Sequence, residues 1–211
     1  MRPRGQPAPP CSASGSWSVA SLAVFASGRG SNFVALADRL RGHPRHRLAV
    51  LVCDIPGAPV LERAREAGAP ARVIAYRGRG RRDAEAEMLA VLAEHHADVV
   101  ALAGFMRLLT PYFLSRYTGP VLNLHPSLLP KYPGTRGIEE SFRSADRELG
   151  ISVIRVDEGV DTGPVLLQRS FTRNGSESLE EIERRIHDLE HEWFPVAVLQ
   201  ALDAIEAGRS G

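Results

Sequence analysis

Between Leu22 and Glu206, short apolar runs alternate with amphipathic stretches. The runs Leu22–Ala26, Leu48–Cys53, Arg72–Ala75, Val99–Ala103, Val121–Asn123, Ser152–Val156 and Val165–Ser170 predict strands. Apolar positions at helical spacing predict helices over Ser31–Arg41, Val60–Ala67, Asp83–His95, Gly137–Arg143 and Leu179–Ala207. The early strands are apolar at consecutive positions, the pattern of strands covered on both faces of a parallel sheet. The β-α-β alternation predicts right-handed crossovers and an α/β, Rossmann-like, mostly parallel twisted sheet of about seven strands, with helices on both faces. The link between the last two runs, Asp157 to Pro164, is too short for a crossover helix. Those strands are therefore expected to pair antiparallel or to lie at an edge.

A length of 211 residues suits one domain with a sizeable core. Residues 19–211 are read as that domain. Four prolines fall in the first ten positions, so residues 1–18 are expected to form a disordered tail. The apolar stretch Val19–Ala26 is too short to span a bilayer, and the Gly-rich turn that follows makes it a strand, not a signal peptide. Net charge is +1, which argues against nucleic-acid binding through a broad basic field. Of the basic residues 25 are Arg and only Lys131 is Lys, so a single arginine carries little functional weight. Cys11 and Cys53 form neither a disulfide framework nor a metal spacing. A reducing, cytoplasmic setting is expected.

The first strand runs into Ser27-Gly28-Arg29-Gly30-Ser31-Asn32-Phe33 and then a helix. Amides at a helix start attract anions, and glycines let the backbone approach a phosphate. A dinucleotide fingerprint needs a third glycine where Phe33 stands, so a single phosphate fits better than a pyrophosphate. The plain alternative is a βα turn capped by Ser31 or Asn32.

The most informative run is Asn123-Leu124-His125-Pro126-Ser127-Leu128-Leu129-Pro130-Lys131-Tyr132-Pro133-Gly134. It leaves a parallel strand at its carboxyl end, where open α/β sheets bind ligands. In extended backbone Asn123 and His125 point the same way. An amide and an imidazole converging on one point suit a carbonyl oxygen that gains charge during acyl transfer. Further on, Asp157-Glu158-Gly159-Val160-Asp161-Thr162-Gly163-Pro164 offers an acid in a tight turn. A carboxylate beside an imidazole favours its protonated form and can pass a proton.

With these motifs, the chain from Leu22 to about Ala207 resembles the phosphoribosylglycinamide formyltransferases, folate-dependent enzymes of purine synthesis. Gly28–Asn32 resembles the family's phosphate loop, Leu102–Leu109 its folate-pocket segment and Asn123–Gly134 its signature. The resemblance implies the formyltransferase fold, with substrate binding in the N-terminal half and folate binding and catalysis in the C-terminal half. It implies a catalytic trio of Asn123, His125 and Asp161. Gly30, Ser31 and Asn32, assisted by Arg82, would hold the phosphate of glycinamide ribonucleotide, and Glu190 would contact that substrate. Met106, Arg107, Leu108, Leu109 and Asn123 would line the pocket for 10-formyltetrahydrofolate, the co-substrate. No metal or covalent intermediate is implied, only a tetrahedral intermediate held by Asn123 and His125. The protein would act as a monomer or homodimer, without membrane or nucleic acid.

The chain departs from the family pattern at Ile154, where the purine enzymes usually carry a His, and at Thr135-Arg136-Gly137-Ile138, which lacks the histidines of some members. Ile154 resembles the matching segment of methionyl-tRNA formyltransferases, so a formyltransferase or formyltetrahydrofolate hydrolase with another acceptor is the alternative. A non-catalytic phosphate-binding module is a third reading, but it has no use for Asn123, His125 and Asp161 together. The run Arg77–Arg82 is expected to be a solvated or phosphate-ordered loop. His187 and His191 stand i,i+4 on the last helix without a third metal ligand in view, which suits a surface or substrate-facing pair.

Overall fold

The structure, a computed structural model, describes residues 19–209. The expected tail over residues 1–18 lies outside the described residues. Strands β1 (Ala20–Ala26), β2 (His46–Cys53), β3 (Ala71–Val73), β4 (Val99–Leu102), β5 (Val121–His125), β6 (Glu148–Arg155) and β7 (Val165–Thr172) form one sheet. Its order is β3-β2-β1-β4-β5-β6-β7. Helices α1 (Ser31–Leu40), α2 (Pro59–Glu66), α3 (Arg81–Glu94), α4 (Pro111–Leu114), α5 (Gly137–Arg143) and α6 (Leu179–Arg209) complete the chain.

The consecutive apolar positions of β1 divide between two cores. Leu22, Val24 and Ala26 pack with Phe33 and Leu36 of α1 and with Phe194 and Val198 of α6. Ala23 and Phe25 face the other way, onto Met88 and Leu92 of α3 and Phe113 of α4. Helices α1 and α3 thus lie on opposite faces of the sheet. The strand order reverses between β1 and β4, which both run parallel to their neighbours. Crossovers leave in opposite directions there and open a crevice at the carboxyl ends of the strands. The two loops at that point are tied together: Ser27 N–H donates to the Gly104 carbonyl at 3.1 Å, and Met106 N–H to Ser27 Oγ at 2.8 Å.

The final strands pair antiparallel and β7 is an edge, as expected. The sheet also turns antiparallel one strand earlier, at β5–β6. Strand β6 begins at Glu148 and not at Ser152. Helix α4 was not expected; it is a single turn of four residues opening on Pro111. No helix among the described residues is long and apolar enough to cross a membrane.

Candidate active site

Asn123 and His125 close β5, two residues apart, so both side chains leave the same face of the strand. Asp161 reaches them from the β6–β7 turn. That turn is closed by Asp157, whose Oδ1 accepts from Gly159 N–H at 3.0 Å and Thr162 Oγ1 at 2.8 Å. A Cβ on Gly163 would lie 1.8 Å from the Arg155 carbonyl oxygen, so no side chain fits there. Asp161 itself holds a left-handed backbone (φ 55°), which acidic residues tolerate better than most.

The Asp161 carboxylate accepts from two donors and faces the His125 imidazole. Its Oδ1 accepts from Asn123 Nδ2 at 3.3 Å and its Oδ2 from Gly134 N–H at 2.8 Å. His125 Nδ1 stands 3.5 Å from Oδ2. The other imidazole nitrogen, Nε2, is held by the Tyr132 carbonyl at 2.8 Å. Since a carbonyl only accepts, Nε2 carries a hydrogen and Nδ1 is the nitrogen free to exchange a proton. The carboxylate likewise fixes which end of the Asn123 amide faces it, and the second Nδ2 hydrogen remains for a ligand.

Asn123 and Asp161 line a cavity with Leu102, Phe105, Ile154 and Val156, enclosing about 570 Å³ of empty space, part of it open to solvent. Ile154 lies directly across the ladder from Asn123 and is buried, so this wall is apolar. Arg107, Leu108 and Leu109 line the same cavity. Met106 does not: it is 66% exposed and stands outside that lining. Arg107 also covers Asp54, donating from Nε to Oδ2 at 2.7 Å, and lies 5.0 Å from the centre of the Tyr76 ring. The buried Asp54 therefore has a cation as its partner.

At the Gly-rich turn, Gly30 is the N-cap of α1, and no side chain caps the helix. The expected caps, Ser31 and Asn32, are its first helical residues. The first amides of α1 are thus not taken by a cap, the arrangement that favours an anion. Asn32 Nδ2 donates to Glu190 Oε2 at 3.0 Å, joining two residues 158 positions apart. Asn32 Oδ1 is buried with no partner. Arg82 is not brought to this turn. It sits on α3, on the other face of the sheet, with its guanidinium 4.8 Å from the centre of the Tyr112 ring.

His187 Nδ1 also meets Glu190 Oε2, at 2.9 Å, and its ring stacks on His191 with centroids 6.3 Å apart. The hydrogen bond to Glu190 raises the His187 pKa above its ordinary 6.5, with burial opposing. A histidine raised in the folded state stabilises fully below its unfolded pKa and loses that contribution as pH rises through the folded value. The wild-type Tm is therefore expected to decline as pH rises above about 6.5, and His187→Gln to flatten that part of the profile. Identical Tm–pH curves for the two proteins would remove the assignment.

Among the described residues one trio of metal-ligating side chains clusters: His46, Asp203 and Glu206, with ligand atoms within 4.8 Å of one another. It lies at the start of β2, at the opposite end of the sheet from His125. Arg45 pairs with both of its carboxylates, at 2.7 Å to Asp203 and 3.0 Å to Glu206. The trio reads as an ion-pair clasp between β2 and α6.

Comparison with known proteins agrees with this geometry. The formyl transferase family model matches residues 20–198. The phosphoribosylglycinamide formyltransferase of Bacillus subtilis is 42% identical over 86% of this chain and 94% of its own length. The trifunctional purine biosynthetic protein adenosine-3 of Drosophila melanogaster is 39% identical over 84% of this chain, which is 13% of that protein. The crystal structure of glycinamide ribonucleotide transformylase 1 from Geobacillus kaustophilus superposes with a TM-score of 0.83 at 45% identity, covering 87% of this chain and 99% of that one. Fold, site geometry and sequence relationship together place this chain in the formyl transferase family, among the phosphoribosylglycinamide formyltransferases.

Proposed function

We propose that this chain moves a formyl group from 10-formyltetrahydrofolate to the amine of glycinamide ribonucleotide, a step of purine synthesis. The observation that carries the reading is the meeting of Asp161 with both Asn123 and His125 at the edge of the cavity that Asn123 and Asp161 line. The walls suit a flat heteroaromatic ring, being apolar at Leu102, Phe105, Ile154 and Val156. When bound, the folate supplies the formyl group. Arg107, Leu108, Leu109 and Asn123 would line its place.

Asn123 offers its free Nδ2 hydrogen, and His125 its protonated Nδ1, to the oxygen that gains charge as the amine attacks. Such donors act most strongly where the charge develops. Asp161 faces His125 Nδ1 and is placed to take the proton of the attacking amine and return it, through water, to the leaving nitrogen. The C–N bond to the acceptor forms first, giving a tetrahedral intermediate, and the C–N bond to the donor breaks as that intermediate collapses. No external oxidant or reductant is needed. Gly30, Ser31 and Asn32 would take the phosphate, and Asn32 Oδ1 with Glu190 would accept from the ribonucleotide's N–H and O–H groups. Arg82 and Met106 stand outside these walls and receive no role. The setting is cytoplasmic, and the catalytic unit is a monomer or homodimer that uses neither nucleic acid nor metal.

The test uses the purified full chain with both substrates, following deformylated folate by absorbance. Turnover should require the ribonucleotide. Deformylation that proceeds equally without it would make the protein a hydrolase, the outcome that Ile154 in the apolar wall keeps in view.

A further inference from the structure

Gln168 stands on the edge strand β7 and belongs to none of the groups above. Its Nε2 donates two hydrogen bonds of 2.8 Å, one to the Leu129 carbonyl and one to Ser152 Oγ. Ser152, on β6, is fully buried. Its hydroxyl also accepts from Leu129 N–H at 2.9 Å and donates to the Ser127 carbonyl at 2.7 Å. A hydroxyl has one hydrogen and two lone pairs, so Ser152 is saturated. Ser127 in turn donates from Oγ to the Lys131 carbonyl at 2.7 Å. These bonds fasten the loop from Pro126 to Lys131 onto the β6–β7 hairpin.

The fastened loop delivers Tyr132 in a left-handed backbone conformation (φ 56°). That state is costly for an aromatic residue and persists only where its surroundings impose it. It turns the Tyr132 carbonyl onto His125 Nε2, the contact that decides which ring nitrogen carries the hydrogen. In the other tautomer two lone pairs would face each other across 2.8 Å.

We propose that Gln168 is a positioning residue for His125: through Ser152 and the Ser127–Tyr132 loop it holds the carbonyl that fixes the ring tautomer and aims Nδ1 at the reacting oxygen. The kinetic consequence rests on the formyl-transfer reading, whereas the tautomer is a property of the protein without ligands. Gln168 itself touches neither substrate nor the reacting atoms.

Gln168→Glu is the incisive substitution. It keeps length and shape but sets a carboxylate oxygen against the Leu129 carbonyl, which has no hydrogen, and Ser152 Oγ, whose one hydrogen is given to the Ser127 carbonyl. The full chain is followed by ¹⁵N NMR of the imidazoles, with His125 assigned from the signal lost in His125→Asn, and by steady-state kinetics. The wild type should show the Nε2–H tautomer and Gln168→Glu a mixture. The variant's kcat should fall about 10- to 100-fold, the scale of a catalytic group set slightly out of place, with KM for both substrates unchanged. Gln168→Met removes the two donors without adding charge, and should show the same mixture even where the carboxylate prevents folding. Wild-type tautomer and kcat in both variants would overturn the proposal, as would a lowered Tm with both left intact. A wild-type chain that folds but transfers no formyl group would instead sink the activity reading, and the NMR comparison would still decide the role of Gln168.

Discussion

Asn123→Ala is expected to slow single-turnover formyl transfer about 10²- to 10³-fold, equivalent to about 2.7–4 kcal/mol of transition-state stabilisation. The loss should fall on the chemical step and not on folate affinity, because the Asn123 donor matters most once the oxygen carries charge. The fold should survive. The β5 backbone stays paired to Leu102 on one side and Ile154 on the other whatever the side chain. Asp161 would lose a long bond of 3.3 Å but keep the 2.8 Å bond from Gly134 N–H, so the carboxylate stays beside His125. Asn123→Asp separates donor loss from shape. It is nearly isosteric, yet it places a second carboxylate against Asp161, and it should be at least as slow as the Ala variant. An unchanged single-turnover rate in Asn123→Ala would end the oxyanion role of this residue.

The parts of this site that the sequence makes legible are those set by local backbone. Asn123 and His125 share a face because strand residues alternate, and their place at a carboxyl end follows from parallel β-α-β order. The Gly-rich turn shows itself in the same way. Contacts made across the sheet are another matter. Asn32 and Glu190 meet from opposite ends of the chain, and no pattern near either residue announces it; only the family resemblance pointed to both. The Gln168–Ser152–Leu129 bonds depend on the antiparallel register of three strands. Strand β6 also starts earlier than its apolar run, at Glu148, where Arg147 and Glu148 hide its beginning behind charge. Met106 and Arg82 show that a match in residue type does not fix a side chain's surroundings: Met106 is exposed outside the cavity lining and Arg82 lies over the Tyr112 ring. Helix α4 is a single turn, too short for any apolar period to register.

The second large effect is expected at Gly30, where Gly30→Ala should destabilise the protein and empty the anion site together. Gly30 has φ 77°, and a Cβ there would lie 2.4 Å from Val60 Cγ2, 2.7 Å from Val60 Cβ and 3.1 Å from Val60 Cα. The left-handed backbone alone costs about 1–2 kcal/mol for a residue with a Cβ. Forcing a methyl group into a packed neighbour adds about 1–3 kcal/mol. The sum is a large share of the roughly 5–15 kcal/mol that holds a domain together. Relief by moving apart is blocked, because Val60 N–H donates to the Gly28 carbonyl at 3.1 Å and so binds α2 to the same turn. What yields must be the turn, and with it the amides at the start of α1. Val60→Ala in the same chain removes the 2.4 Å clash with the γ-methyl, but the crowding against the Val60 β-carbon and backbone stays, as does the strain at Gly30. It should therefore restore only part of the Tm. Ribonucleotide affinity should remain poor in the double variant even where stability recovers, since the amides follow the backbone and not the packing. Denaturant unfolding with isothermal titration of the ribonucleotide measures both quantities. Full recovery of binding in Gly30→Ala/Val60→Ala would show that steric crowding, and not the conformation of the turn, was the only demand on Gly30.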